Sequence, residues 1–411
     1  HNDRNFRTAV GRAEWLGARA VDCGSVPTPA LALASMSAGA AAVMVTGSHI
    51  PADRNGLKFY LPSGEIAKSD EEAIMAALGS GAEPVETGDL KRESGALPAY
   101  VARYVDAFGA QALSGLRIGV YEHSSVARDA MVDLLGQMGA DIVRLARADH
   151  FIPVDTEAVD ADTREMLKAW CAEHRLDALV STDGDADRPM VVDAQGVLVP
   201  GDVLGPLTAR MLGADMICTP VSSNTMVDQM GFGSVIRTKI GSPYVITAME
   251  AAGGRVVGFE ANGGFLLGFE AEGPEGRLAP LMTRDCLLPI VAPLAMARAK
   301  EVSLADLVSD LPPRFTSADR IAGIPTEVSQ AFIAELTADP RARAAFFAGR
   351  AAETGVDRTD GLRVFFADGA VIHLRPSGNA PEFRCYAEAE TTARAEGLMR
   401  QTLEAVAQRL G

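Results

Sequence analysis

Short apolar, β-branched runs alternate along this chain with amphipathic stretches that stop at glycine. Gln137-Met138-Gly139-Ala140 leads into Ile142-Val143, and Ala252-Gly253-Gly254 leads into Val256-Val257-Gly258. Trp15-Leu16-Gly17-Ala18 leads into Ala20-Val21-Asp22-Cys23 in the same way. Glycine suits the position after a helix because it tolerates positive φ, and the apolar run that follows reads as a buried strand. The recurrence predicts three related α/β modules with mixed sheets in which parallel strands predominate. The last hundred residues break this rhythm. A helical stretch around residues 328 to 336 gives way to the apolar run 362 to 366, an Asp368-Gly369 turn and a second run at 371 to 374. A closing helix is expected from Thr392 to Leu410. Asp-Gly between alternating apolar runs is a hairpin signal, so a C-terminal α+β domain is expected after the three modules.

Three breaks divide the chain. Residues 88 to 98 are polar and carry Gly and Pro, Gln195-Gly196 reads as a turn, and the paired prolines of Leu311-Pro312-Pro313-Arg314 end a helix. The expected domains are 1–97, 98–197, 198–312 and 313–411.

Charge narrows the partners. The chain has 38 Lys and Arg against 54 Asp and Glu, a formal charge of −16. Such a surface disfavours nucleic acid and anionic lipid. With 48% apolar residues the chain can bury a large core, which excludes global disorder. Its richest apolar stretch, Cys286 to Met296, is too short for a membrane span and carries Pro289 and Pro293. The five cysteines form no C-x-x-C pair, so reduced thiols in a cytoplasmic protein are expected, as a monomer or homodimer.

Four loops concentrate reactive side chains. Thr46-Gly47-Ser48-His49-Ile50-Pro51 follows the apolar run 42 to 45, where the Ser48 hydroxyl can project from a sharp turn as a nucleophile. Asn55-Gly56 can return the chain so that Lys58 points back toward it; the plainer alternative is a capping serine and a surface turn. Asp183-Gly184-Asp185-Ala186-Asp187-Arg188 sets three carboxylates at i, i+2 and i+4. They repel unless a cation sits between them, and hard oxygen donors favour Mg²⁺ or Ca²⁺ over zinc. The EF-hand glutamate is missing and the loop lies between strands. Three carboxylates with open positions suit Mg²⁺ engaging a phosphate, with Arg188 as a clamp on the same group; the plainer alternative is a solvated acidic turn. Gly258 to Phe265 brings Glu260 and Asn262, suited to vicinal sugar hydroxyls but, read alone, equally a β-turn. Arg375-Pro376-Ser377-Gly378-Asn379-Ala380-Pro381-Glu382-Phe383-Arg384 sets two arginines about a turn whose N–H groups can cradle phosphate.

Together these residues resemble the α-D-phosphohexomutase family. Thr46 to Pro51 is similar to its T-A-S-H-N-P loop with the downstream N-G-[IL]-K, and Asp183 to Arg188 matches D-G-D-x-D-R fully. Gly258 to Gly264 resembles G-E-x-S-G-H, and Arg375 to Pro381 resembles R-x-S-G-T-E-P. The resemblance implies four domains around a central cleft and a mutase acting on hexose phosphates through phosphoserine and a hexose 1,6-bisphosphate. It implies Ser48 as the phosphoserine and Mg²⁺ held by Asp183, Asp185, Asp187 and the Ser48 phosphate. Lys58 becomes the general acid/base with His49 assisting, and Arg188 holds the transferring phosphoryl group. Glu260 and Asn262 read the sugar, while Arg375, Ser377, Gly378, Asn379 and Arg384 hold the distal phosphate. Mannose phosphates are the expected substrates, with glucose and glucosamine phosphates as alternatives. Asn262 stands for the pattern's Ser, Gly264 for its His, and Asn379-Ala380 for Thr-Glu. The family's amino-terminal F-G-T-[SD]-G-[LIV]-R-G segment, with an arginine for the phosphoserine site, does not occur in the 411 residues.

Two rival classes remain. A phosphatase using Ser48 and metal predicts further His or Asp ligands near the nucleophile, yet of six histidines only His49 lies in a motif. A non-catalytic sugar-phosphate binder leaves Ser48, Lys58 and the three aspartates unexplained.

Overall fold

The computed structural model describes residues 19–48, 56–79, 89–377 and 381–410. His49, Gly378 and Asn379 therefore lie outside the described residues, as does the first helix–glycine unit at Trp15-Leu16-Gly17.

Two five-stranded sheets in the middle of the chain share one topology. In the first, Arg117–His123 lies parallel between Asp141–Arg147 and Ala178–Thr182. Pro189–Asp193 then joins antiparallel, and Leu198–Val199 closes that edge, so Gln195-Gly196 is a hairpin turn within this sheet. In the second, Met216–Pro220 lies parallel between Ser234–Thr238 and Val256–Phe259, followed antiparallel by Phe265–Leu267 and Leu281–Asp285. In each sheet three strands pair in parallel, a fourth runs against them, and the fifth, antiparallel to the fourth, returns to the direction of the first three. Near the amino terminus, Ala42–Thr46, Gly56–Leu61 and Gly64–Glu65 form an antiparallel set, and Ala20–Asp22 pairs in parallel with Leu90–Arg92.

The glycine punctuation works as the sequence predicts. The helix Arg128–Gln137 runs to Gly139 at φ 89° and the strand from Asp141, and Ser242–Ala252 ends at Gly253 at φ 61°. Two helices were not legible. Gly201–Met211 contains Pro206, and Leu288–Ala299 contains Pro289 and Pro293. Leu288 to Ala297 is buried on every side against Gly201–Met211 and the strand Pro189–Asp193, so no polar face marks it as a helix. The apolar run too short for a membrane span is the centre of the core. No helix among the described residues is long and apolar enough to cross a membrane.

The C-terminal part is wholly antiparallel, in the order Phe315–Ala322, Glu382–Ala389, Val371–Pro376, Leu362–Phe366, Glu353–Asp357. Helices Thr326–Ala338 and Thr392–Leu410 pack on it. Its buried residues, from Ile324 to Val406, form a core of their own, while one continuous cluster runs from Val26 to Leu311.

The four reactive loops occupy equivalent places. Each connects two antiparallel neighbours: Thr46 to Gly56, Thr182 to Pro189, Phe259 to Phe265 and Pro376 to Glu382. The two central sheets are built on parallel strands, but the reactive loops join antiparallel neighbours.

Candidate active site

The nucleophile loop opens on a strained serine. Ser48 has φ 44°, a region that costs a non-glycine residue energy, and its N–H donates to Thr46 Oγ1 at 2.8 Å to close the turn. This aims the hydroxyl at the metal loop, where Ser48 Oγ donates to Asp183 Oδ2 at 2.8 Å. The two loops touch through backbone as well. A Cβ at Gly184 would lie 2.6 Å from the Ser48 carbonyl oxygen and 2.9 Å from the Phe151 ring, so no side chain fits there.

The three aspartates form one buried cluster, with one oxygen of each within 4.8 Å of the others. Lys58, returned by the hairpin Ala42–Thr46/Gly56–Leu61, bridges Asp185 Oδ2 and Asp187 Oδ2 at 2.6 Å each. Burial opposes its charge, but Asp187 and Asp185 outweigh burial and hold the ammonium above its ordinary pKa. So paired, Lys58 is a cation and proton donor; it becomes a base only when its carboxylates are engaged elsewhere. The aspartates split by environment. Burial and then its two acidic neighbours push Asp183 well up, whereas burial at Asp187 is overcome by Arg284, Lys58 and Arg188, and its carboxyl is pulled down.

These residues fit a divalent cation. Among the described residues Asp185 Oδ1 and Asp187 Oδ1 are buried with no hydrogen-bond partner, and the donor set is carboxylate and hydroxyl oxygen, the choice of a hard ion.

Sequence reasoning missed several participants. Thr28, at the start of the helix Thr28–Ser37, donates its hydroxyl to Asp185 Oδ2 at 2.9 Å and its N–H to the Asp185 carbonyl at 2.9 Å. Arg284, from the strand Leu281–Asp285, sets Nη2 2.7 Å from Asp187 Oδ2. Glu65 accepts from Ser242 Oγ and Thr283 Oγ1 at 2.7 Å each, tying the nucleophile hairpin to the strand that carries Arg284. The one signal for Arg284 was a charged pair, Arg284-Asp285, inside the apolar run 281 to 296.

The sugar loop folds on itself. Asn262 Nδ2 donates to Glu260 Oε2 at 2.8 Å, and Asn262 Oδ1 accepts from the Gly264 N–H at 3.0 Å. Among the described residues Glu260 Oε1 is buried without a partner, while the asparagine holds the other carboxylate oxygen in place. Glu157 lies within reach of the charges of Arg188, Glu260 and Arg384.

In the phosphate loop, Arg375 Nε lies 3.7 Å from Asp360 Oδ1, and Arg384 Nη2 donates to Glu382 Oε2 at 3.1 Å. Arg375 Nε and Arg384 Nε are buried with no hydrogen-bond partner among the described residues. The buried Ser377 donates its N–H to the Glu382 carbonyl at 2.9 Å, which sets the base of the loop. Asp360 also accepts from the Ile240 N–H at 3.0 Å, linking this sheet to the strand end at Thr238. All five cysteines are free.

Comparison with known proteins agrees with this arrangement. The four domain models of phosphoglucomutase/phosphomannomutase match in order: domain I at residues 11–84, domain II at 99–196, domain III at 200–315 and the C-terminal domain at 327–405. A phosphomannomutase of Sinorhizobium fredii is 46% identical over 393 residues, 93% of this chain and 83% of the relative. A phosphomannomutase of Salmonella muenchen is 43% identical over 400 residues, 96% and 83% of the two chains. The crystal structure of a putative phosphomannomutase from Thermus thermophilus superposes with a TM-score of 0.76 at 22% identity, over 98% of this chain and 87% of that one, a likeness of fold. With four domain models matched in order and two relatives above 40% identity, the chain belongs to the phosphoglucomutase/phosphomannomutase family.

Proposed function

We infer that this chain interconverts hexose 6-phosphate and hexose 1-phosphate, with mannose phosphates preferred, through a phosphorylated Ser48 and a hexose 1,6-bisphosphate. The observation that carries the reading is the Ser48 hydroxyl, hydrogen-bonded at 2.8 Å to one of three clustered carboxylates with Lys58 bridging the other two. A hydroxyl so placed carries a phosphoryl group beside a cation site. The preference for mannose follows the two relatives named phosphomannomutase.

Asp183, Asp185, Asp187 and the Ser48 oxygen would hold Mg²⁺, which supplies neutralisation of charge on the phosphoryl oxygens. The chain's own residues do the rest. Lys58, protonated as paired, gives a proton to Ser48 Oγ as the bond from Ser48 to phosphorus breaks, and takes back the proton that the sugar hydroxyl loses as its own bond to phosphorus forms. Arg188 contributes a guanidinium to the same group. Glu260 orients the sugar through its unpartnered oxygen, and Arg375, Ser377, Gly378, Asn379 and Arg384 grip the far phosphate. His49 follows Ser48 in sequence and would assist Lys58. Five free thiols suit the reducing cytoplasm.

The test combines mass and turnover. One phosphoryl group is expected on the intact protein and none on Ser48→Ala, with mutase turnover lost in the variant. Mannose 1-phosphate should turn over faster than glucose 1-phosphate or glucosamine 1-phosphate. Full activity in Ser48→Ala would refute the phosphoserine route, and no turnover of mannose 1-phosphate would refute the substrate preference.

A further inference from the structure

Arg284 is an arginine held inside the site with hydrogen-bonding capacity to spare. Its side chain is only 14% exposed, and Nη2 is spent on Asp187 Oδ2 at 2.7 Å. Nε is buried and has no hydrogen-bond partner among the described residues. A desolvated guanidinium N–H left unpaired is costly, and such groups are normally satisfied by protein, water or ligand. The surroundings say which ligand fits. Ser48 and Arg284 are bonded to the same three-carboxylate cluster, Ser48 through Asp183 and Arg284 through Asp187. Arg284 also feels Glu260, the carboxylate of the loop whose Gly264 lies against the Arg284 stem. It thus touches both the cluster that Ser48 bonds and the loop that carries Glu260.

The sugar loop is shaped to admit it. A Cβ at Gly264 would lie 2.8 Å from Arg284 Cγ, 2.9 Å from Cδ and 3.0 Å from Cβ. The stem of Arg284 fills the space that any side chain at 264 would need. Phe265, next to Gly264, also pairs with Asp285, next to Arg284, ahead of a register shift before Leu267.

We propose that Arg284, admitted by Gly264, is a catalytic residue that contacts the phosphoryl group in transit between Ser48 and the sugar, forming with Arg188 a pair of guanidiniums on its two sides. A planar guanidinium anchored at one nitrogen presents its remaining N–H groups in a fixed fork, the geometry phosphate oxygens accept. The inference rests on the mutase reading and adds to it a residue from a strand outside the four loops.

The test uses the full chain with Ser48→Ala, which cannot be phosphorylated, at fixed saturating Mg²⁺. Binding of glucose 1,6-bisphosphate and of mannose 1-phosphate is measured by calorimetry. The bisphosphate places a phosphate beside residue 48 as well as in the distal loop, whereas the monophosphate fills the distal loop alone. Adding Arg284→Met should weaken the bisphosphate by about tenfold or more and the monophosphate by no more than about threefold. Gly264→Ala, which presses on the Arg284 stem without removing it, should weaken the bisphosphate several-fold with the same selectivity, and it serves if Arg284→Met does not fold. Equal losses for both sugars, or no loss for either, would overturn the proposal, since a residue that only balances the charge of Asp187 does not tell the two ligands apart. If Ser48→Ala alone binds neither sugar phosphate, the mutase reading falls and this inference with it; if it binds both and the second substitution changes nothing, only the role of Arg284 falls.

Discussion

The metal loop and the sugar loop are both hairpin connections between antiparallel strands, yet they use their polar groups in opposite ways. The metal loop looks outward: its aspartates are met by Lys58, Thr28, Ser48 and Arg284, all from other parts of the chain. The sugar loop looks inward: Asn262 spends its amide on Glu260 and the Gly264 N–H. A concentrated charge cannot be settled locally, because neighbouring carboxylates only add to it, so the fold must bring cations from afar. A single carboxylate that has to be aimed can be fixed by the residue two places on. The first loop draws most of its cations from elsewhere in the chain, beyond the Asp187 and Arg188 N–H groups that donate to Asp183 Oδ1. In the second, Asn262 aims Glu260 from two places away, and Thr156 Oγ1 donates to the Asn262 carbonyl at 3.1 Å.

The largest effect should come from breaking the outward-facing loop. Asp187→Asn removes the carboxylate that Lys58, Arg284 and Arg188 share, leaving three buried or half-buried cations under-compensated. Turnover at saturating Mg²⁺ should fall by about 10³-fold or more, because the phosphoryl group loses its positioning. The denaturation midpoint should fall too, by the equivalent of about 3 kcal/mol, the usual result of removing one side of a buried ion pair. Turnover within tenfold of the parent would show that the cations around Asp187 do not serve the reaction.

A second aspartate sharpens the contrast. Asp202, 3% exposed at the start of the helix Gly201–Met211, is as buried as Asp187 but has no cation bonded to it. Its Oδ2 accepts the Asn224 N–H at 2.9 Å and its Oδ1 has no partner. Burial raises it to about 7, with Glu388 and Glu157 adding to the rise and the Asn224 N–H and Arg237 opposing it. Between about pH 4 and pH 7 the folded protein therefore holds a proton that the unfolded chain has released. Stability from this group is present at low pH and is lost as pH rises through 7. Asp202→Asn should be more stable than the parent at pH 8 by on the order of 3 kcal/mol and nearly equal to it at pH 4. A difference that stays flat from pH 4 to 8 in urea titrations would mean that Asp202 is ionised throughout.

What could be read in the sequence follows the same division. The three aspartates are local in the chain and their mutual repulsion is visible from spacing, so a cation site was predictable at Asp183, Asp185 and Asp187. Lys58 was legible because Asn55-Gly56 announces a hairpin, and the hairpin returns it. Arg284 and Thr28 were not, because nothing local ties residue 284 or residue 28 to the loop 183 to 188. In the sugar loop the residue types were legible but their division of labour was not: Glu260 and Asn262 read as equal partners, and only the hydrogen bonds separate the one left open from the one used up. The fold shows a similar split. Asp368-Gly369 gave its hairpin, with strands Leu362–Phe366 and Val371–Pro376 on either side. The helix Leu288–Ala299 was hidden because burial on all sides erases the periodicity that reveals a helix.

The smallest effect is the most discriminating for the sugar loop. Asn262→Ala removes the 2.8 Å bond that holds Glu260 Oε2 and the 3.0 Å bond that closes the turn, without touching the open oxygen of Glu260. Losing a hydrogen bond to a charged group should cost about tenfold in kcat/KM for mannose 1-phosphate. Glu260→Gln, which removes the carboxylate itself, should cost more and should also narrow the difference between mannose and glucose 1-phosphates. The cycle decides how Asn262 acts. If it works by aiming Glu260, adding Asn262→Ala to Glu260→Gln should cost less than about threefold further, because there is no longer a carboxylate to aim. If the tenfold loss persists in the Glu260→Gln background, Asn262 meets the sugar through its own amide, and the inward-facing loop reads its ligand with two residues instead of one.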